Sequence, residues 1–249
     1  MNACEHSLLA CGECRPKERM PTIQELEAKI EQFKAELAAV RPSNGHSGPQ
    51  APAPAPLKLD LGCGPRKQSG FIGADIRPFP GVDVVCDLAT QPWPWPDSSV
   101  EEAYSSHSVE HIASKEIDFK LEIDWTNHTH KLTKIVSRPR AHFFNELYRV
   151  LRPGGKAVII TPHWCSCRSL GDITHEWPAV SEMFWSYLDK TWRPDNAPHD
   201  DFYTCDFTSG YGYSTAAWLH GRNPEFVQDA LTRWKEAAQD MMCTLVARK

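Results

Sequence analysis

The sequence predicts an α/β protein whose mostly parallel sheet is flanked by helices, preceded by a separate helical segment. Three observations carry this prediction. From Leu57 onward, the strand-like runs LKLDL, FIGAD, DVVCD and EEAYSS precede an amphipathic run, HFFNELYRVL, and KAVIIT follows it. Strands alternating with helical stretches favour parallel pairing. Residues 41–56, RPSNGHSGPQAPAPAP, are linker-like, with glycine and serine loosening the first half and alternating Ala-Pro stiffening the second. Ahead of that linker, the apolar residues recur at helical spacing.

Taken in order, residues 1–15 form a cysteine-rich head. Residues 21–40 follow as a helix, with Ile23, Leu26, Ile30, Phe33, Leu37 and Val40 spaced alternately by three and four. That is a coiled-coil seam, and it predicts a homo-oligomer formed through this segment; a helix packed on its own domain is the alternative. Thr22 and Glu25 match a capping box at its start. The main domain runs over 57–249. Within it, Pro153-Gly154-Gly155 is expected to end the helix before the strand KAVIIT. A hairpin inserted at about 114–140 is predicted because Ile117, Phe119, Leu121, Ile123 and Trp125 alternate with polar residues, with a turn near Thr126-Asn127-His128. Its position after the fourth strand suits a lid or an edge decoration. A helix around 225–238 and the closing strand MMCTLVARK complete the chain.

The chain is 249 residues long, enough to bury a full core, and 41% hydrophobic with 24% charged residues, the balance of a globular protein. A net charge of −5 does not indicate a nucleic-acid partner, which would call for a basic excess. No apolar run reaches the roughly eighteen residues of a membrane span, and the N-terminus lacks the basic region of a signal peptide. Nine scattered cysteines read as reduced thiols in a cytoplasm.

The functional centre of the sequence is LDLGCGPRKQSGFIGADI. Gly62 and Gly64 fit the start of a dinucleotide fingerprint, but Lys67 stands where a third glycine belongs, and Asp75 follows too soon. No Gly-Lys-Ser/Thr follows, which excludes a Walker loop. Asp60-Leu61-Gly62-Cys63-Gly64 resembles the first motif of the class I S-adenosylmethionine-dependent methyltransferases. Gly73-Ala74-Asp75-Ile76 is similar to their second strand with its terminal acid, and Asp87-Leu88 to the end of the third. Ser106-His107-Ser108-Val109-Glu110-His111 is similar to the fourth, and the run from Glu146 to Gly155 to the helix and turn before the fifth.

That resemblance covers about 57–161 and implies a doubly wound seven-stranded sheet with S-adenosylmethionine as cofactor. It implies cofactor contacts from Asp60, Gly62, Cys63, Gly64, Asp75, Ile76, Asp87, Leu88 and His107. The glycines let the backbone approach the ligand, Asp75 receives the ribose hydroxyls as in dinucleotide sites, and Asp87 and Leu88 meet the adenine. The first helix of the family has little room between Cys63 and Phe71, so the cofactor carboxylate is expected to lean on Lys67 or Arg66.

Methyl transfer needs positioning above all, and a base only where the acceptor carries a tightly held proton. Gly171-Asp172-Ile173-Thr174-His175 resembles a segment of small bacterial and phage-encoded members. His175 is the candidate base with Asp172 as its orienting acid, and His107 and His111 are further candidates; a satisfied loop network is the structural alternative. His199-Asp200-Asp201 is a weaker candidate. The motifs of exocyclic-amine and cytosine-C5 methyltransferases are absent, so the acceptor stays open among small molecule, glycan, protein and nucleic acid. The tryptophans of the second half are expected to build its core.

Cys4, His6, Cys11 and Cys14 have the residue types and spacing of a zinc site, with free thiols as the alternative. His163, Cys165, Cys167, His175 and Cys205 make a second candidate set. Two functions follow: an active methyltransferase, or a methyltransferase-fold adaptor that docks through its N-terminal helix.

Overall fold

The computed structural model describes residues 56–249. The cysteine-rich head with Cys4, His6, Cys11 and Cys14, the heptad segment 21–40 and all but the last residue of the linker lie outside the described residues. No helix among the described residues is long and apolar enough to cross a membrane.

Seven strands form one sheet: β1 (Leu57–Leu61), β2 (Ile72–Asp75), β3 (Val84–Val85), β4 (Val100–Ser106), β7 (Leu151–Pro162), β8 (Phe207–Thr215) and β9 (Ala238–Ala247). Their order is β3-β2-β1-β4-β7-β9-β8. The pairs from β3 through β7 are parallel, whereas β9 lies antiparallel between β7 and β8. The remaining strands, β5 (Glu116–Asp124) and β6 (Thr129–Ser137), pair only with each other as an antiparallel ribbon. All but one of their eighteen residues are exposed, including Phe119, Leu121 and Ile123, as is Trp125 in the turn between them.

The main helix, α1 (Pro139–Val150), begins with proline at a first-turn position, where its missing N–H costs nothing. Phe143, Phe144, Leu147 and Val150 form its apolar stripe. They pack with Trp185 against Leu59, Leu61, Ala103, Ala157, Ile159, Met241, Cys243 and Leu245, alternate residues on one face of the sheet. On the opposite face Lys58, Glu102 and Lys156 sit at paired positions of neighbouring strands, and the Lys58 ammonium meets the Glu102 carboxylate at 2.7 Å.

The helices that a doubly wound sheet places between its first strands are absent among the described residues. The β1–β2, β2–β3 and β3–β4 connections contain no α-helix. Those loops hold Pro65 and Gly70, then Pro78, Pro80 and Gly81, then Pro92, Pro94 and Pro96. Proline removes the donors a helix needs, and the first two loops are too short for a helix and two turns. The other helices are short: α2 (Cys167–Gly171), α3 (Glu182–Ser186), α4 (Arg193–Asn196) and α5 (Pro224–Arg233).

Three local expectations are corrected. Pro153-Gly154-Gly155 lies inside β7, not at a helix end; α1 stops at Val150, and the register with β4 slips between Val100 and Glu102, so the glycines accommodate a bulge. The helix near the C-terminus ends at Arg233, well before 238, and β9 starts at Ala238. Of the six tryptophans in the second half only Trp185 is fully buried. Trp164, Trp177, Trp218 and Trp234 are exposed, and Trp218 stacks on Trp234 with centroids 5.3 Å apart. The other core tryptophans are Trp93 and Trp95, whose proline-flanked loop lies against α1; Trp93 meets Phe143 edge-on at 5.2 Å.

Candidate active site

The strand order reverses at β1, which has β2 on one side and β4 on the other. In open α/β sheets the crevice beyond the carboxyl ends at such a point is where ligands bind. Gly62, the first residue after β1, has φ +71°, and a β-carbon there would lie 2.1 Å from Ser108 Oγ on the loop after β4. A side chain is excluded by both the backbone conformation and the neighbour. Gly64, at φ +52°, faces open space.

Backbone hydrogen bonds join this turn to β2. The N–H groups of Gly62 and Cys63 both donate to the Ala74 carbonyl, at 2.8 and 3.1 Å. The Gly64 N–H donates to Asp75 Oδ2 at 2.9 Å, and the Arg77 N–H to Asp75 Oδ1 at 3.0 Å. A carboxylate offers about four lone-pair sites, so Asp75 is held in one rotamer and keeps acceptor capacity on both oxygens.

The other residues of the motif divide into supports and surfaces. Asp60 is buried, accepts from the Gln68 N–H at 2.6 Å, and has its pKa raised by that burial. Burial, with Asp60 and Asp75 nearby, pushes the Cys63 thiol up to about 11, so it packs as a neutral group. Lys67 is engaged elsewhere: its ammonium bonds Asp83 Oδ2 at 2.7 Å, and the same oxygen accepts from the Gly73 N–H. Ile76 is exposed at the end of β2. Asp87 turns back on its own loop, accepting from the Ala89 N–H and the Thr90 hydroxyl. Leu88 is buried in the core, and its carbonyl accepts from the Trp93 indole at 3.1 Å, so its side chain does not face the crevice.

Beyond β4 and β7 opens a cavity of about 800 Å³ lined by His107, Glu110, His111, Arg168, Asp172 and His175. His107 has φ +53°, which turns the chain out of β4. Its half-exposed ring lies 3.3 Å from Glu110 Oε1, and that carboxylate raises its pKa. His175 Nδ1 is 2.9 Å from the Ser169 carbonyl, to which it donates. Asp172 does not orient this ring. The His175 Nε2–Asp172 Oδ2 distance is 3.8 Å, and Asp172 Oδ1 instead accepts from the Thr174 N–H and hydroxyl at 2.9 and 2.7 Å. Those two bonds hold the Asp172 carboxyl below the usual range.

One residue of this cavity, Glu110, was not among the candidates read from the sequence, and His111 was weighed there only beside His107 as a catalytic candidate. Glu110 and His111 sit in the short 3₁₀ turn Val109–His111, where they read as part of a strand motif. Arg140, on the apolar side of α1, fixes that turn by donating to the carbonyls of Ile112, Glu176 and Pro178. A charged residue inside an apolar stripe was the available signal.

The second candidate metal set is not assembled. His163 contacts Cys165 Sγ at 2.9 Å and Glu182 Oε1 at 2.8 Å, whereas His175 meets Glu110 and His111, and Cys205 is buried in the core.

No protein-family model matches the chain, and no curated protein matches it. Solved structures are similar to it at low identity. One is a SAM-dependent methyltransferase from Archaeoglobus fulgidus, at 17% identity over 88% of this chain and 93% of that one, with a TM-score of 0.45. A second is the complex between the Haloferax volcanii Trm112 methyltransferase activator and the putative methyltransferase, at 14% identity, 91% and 97% coverage, and a TM-score of 0.45. A third is an S-adenosylmethionine-dependent methyltransferase from Mesorhizobium loti, at 16% identity, 85% and 96% coverage, and a TM-score of 0.37.

Proposed function

We propose that this chain is an S-adenosylmethionine-dependent methyltransferase. The observation that carries the proposal is the joining, at the switch point of the sheet, of the Gly62–Gly64 turn to the Asp75 carboxylate. The motif order of the sequence and the strand order β3-β2-β1-β4-β7-β9-β8 support it together.

When bound, S-adenosylmethionine supplies a methyl carbon activated by its sulfonium. Asp75 accepts the ribose hydroxyls on its remaining lone pairs. The turn from Gly62 to Gly64 lets the backbone approach the methionine part, with buried Asp60 beneath it. Ile76 gives an apolar surface for the adenine, and Asp87 lies at its edge. The acceptor occupies the cavity beyond β4 and β7. His175, whose Nδ1–H is committed to the Ser169 carbonyl, presents an unprotonated Nε2 that can take the acceptor's proton as the new bond to carbon forms and the carbon–sulfur bond breaks.

Calorimetric titration with S-adenosylmethionine, and separately with S-adenosylhomocysteine, tests this. Binding of both in roughly the micromolar range of working enzymes is expected. If neither binds, the glycine turn is only a turn and the proposal fails.

A further inference from the structure

We infer that Glu110, His111 and His175 form a binding site for a divalent transition-metal ion. One ligand atom from each of the three lies within 4.8 Å of the others, and the two imidazoles meet at 4.7 Å between centroids. Glu110 comes from a buried position, His111 from an exposed one, and His175 lies between, so the cluster opens toward the cavity.

The second observation is the state of Glu110. Its side chain is 6% exposed, and neither carboxylate oxygen has a hydrogen-bond partner among the described residues. His107 Nδ1 stands 3.3 Å from Oε1, off the axis of a hydrogen bond. Arg140 gives its donors to three carbonyls, and Arg168 pairs with Asp240 at 2.9 Å. A buried carboxylate that accepts no hydrogen bond and has only the half-exposed His107 ring at 3.3 Å beside it is poorly satisfied, and a cation at its oxygens offsets that cost.

Both imidazoles are also prepared as ligands. His175 Nδ1 faces the Ser169 carbonyl at 2.9 Å. His111 Nδ1 faces the Thr174 carbonyl at 3.2 Å and the Thr174 hydroxyl at 3.1 Å, while that hydroxyl donates to Asp172. These acceptors place the proton on Nδ1 of each ring and leave Nε2 with its lone pair. A carbonyl on the far nitrogen is the usual outer support of a metal-bound histidine. Two histidines and one carboxylate suit zinc and other borderline ions, and a three-ligand set leaves a position open to a substrate or water. Tetrahedral ligands at zinc bond lengths stand about 3.4 Å apart, so small side-chain rotations close the set. The site does not depend on the methyltransferase reading, but a bound ion would take the same His175 Nε2 lone pair that the proposed function uses as base, so an ion there would block that base.

Cobalt(II) chloride is the probe, added to the chelator-stripped full chain and followed by visible absorption and thermal unfolding. The variant Cys4→Ser/Cys11→Ser/Cys14→Ser removes the N-terminal thiols. It is expected to bind one equivalent of cobalt with d–d bands and no thiolate charge-transfer band, and to unfold at a higher temperature when loaded. In that background His111→Ala and Glu110→Gln should each weaken binding at least tenfold. No cobalt binding in the triple-serine chain, or binding unchanged by both variants, would overturn the site, and neither result bears on S-adenosylmethionine titration.

Discussion

The Gly64 N–H donates to Asp75 Oδ2 at 2.9 Å, so the turn after β1 and the end of β2 are a single hydrogen-bonded unit. Asp75 is at once the support of the turn and, in the proposed function, the acceptor for the ribose.

Asp75→Asn keeps the shape and one acceptor oxygen but loses the charge. Hydrogen bonds to a charged group contribute about 1.5–3 kcal/mol, so S-adenosylmethionine affinity should fall at least about tenfold. Titration calorimetry on a variant with a native circular-dichroism spectrum reads this, and unchanged affinity would remove Asp75 from the ribose site.

Gly62→Ala should destabilise the protein by about 1–3 kcal/mol, because a left-handed non-glycine residue is strained and its β-carbon meets Ser108 Oγ at 2.1 Å. Adding Ser108→Gly removes the collision but not the backbone strain, so it should restore only part of the loss. Chemical denaturation of both variants checks this; full recovery would mean that the left-handed conformation costs nothing.

Glu146 gives an acid dependence whose sign is determined by its partners. The Arg149 guanidinium, bonded at 2.8 and 2.7 Å, holds this carboxyl below its usual value, with the Trp93 N–H also donating to it against a smaller opposing effect of burial. A lowered folded pKa stabilises above the unfolded value of about 4.3 and loses that contribution as pH falls through the folded value. Glu146→Gln should therefore be less stable than wild type at neutral pH, with the gap closing below about pH 4. Melting curves across that range would show a constant gap if the ion pair had no role.

Excising the ribbon should leave the seven-stranded sheet folded. Glu116 and Ser137 are paired across the base of β5 and β6, so their Cα atoms are about 5 Å apart, and a two-residue glycine-serine link can join Lys115 to Arg138. Because the ribbon is exposed on both faces, the melting temperature should change by no more than about 4 °C. A larger fall would show that the ribbon is structural.

The legible parts of the chain were those whose signal is local. The strand at β5 was readable because Ile117, Phe119 and Leu121 alternate, although the ribbon pairs with nothing else in the sheet. The glycine turn was readable because positive φ demands glycine at Gly62. The missing helix between β1 and β2 was readable from the short span between Cys63 and Phe71. Residue type alone misled elsewhere. Lys67 looked free but meets Asp83 from another loop, Asp172 looked like a partner for His175 but turns to Thr174, and the exposed tryptophans looked like core.

By itself the sequence determined the parallel α/β character, the order of its elements and the turn that opens the crevice, because hydrophobic period and glycine placement act over a few residues. Only the tertiary structure decided that β9 enters antiparallel between β7 and β8, that Lys58 and Glu102 pair across one face of the described sheet, and that His111 reaches a loop 63 positions away at Thr174. Those are choices among distant partners. They follow from which faces must be buried together and which buried polar groups must be satisfied, and no local period encodes them.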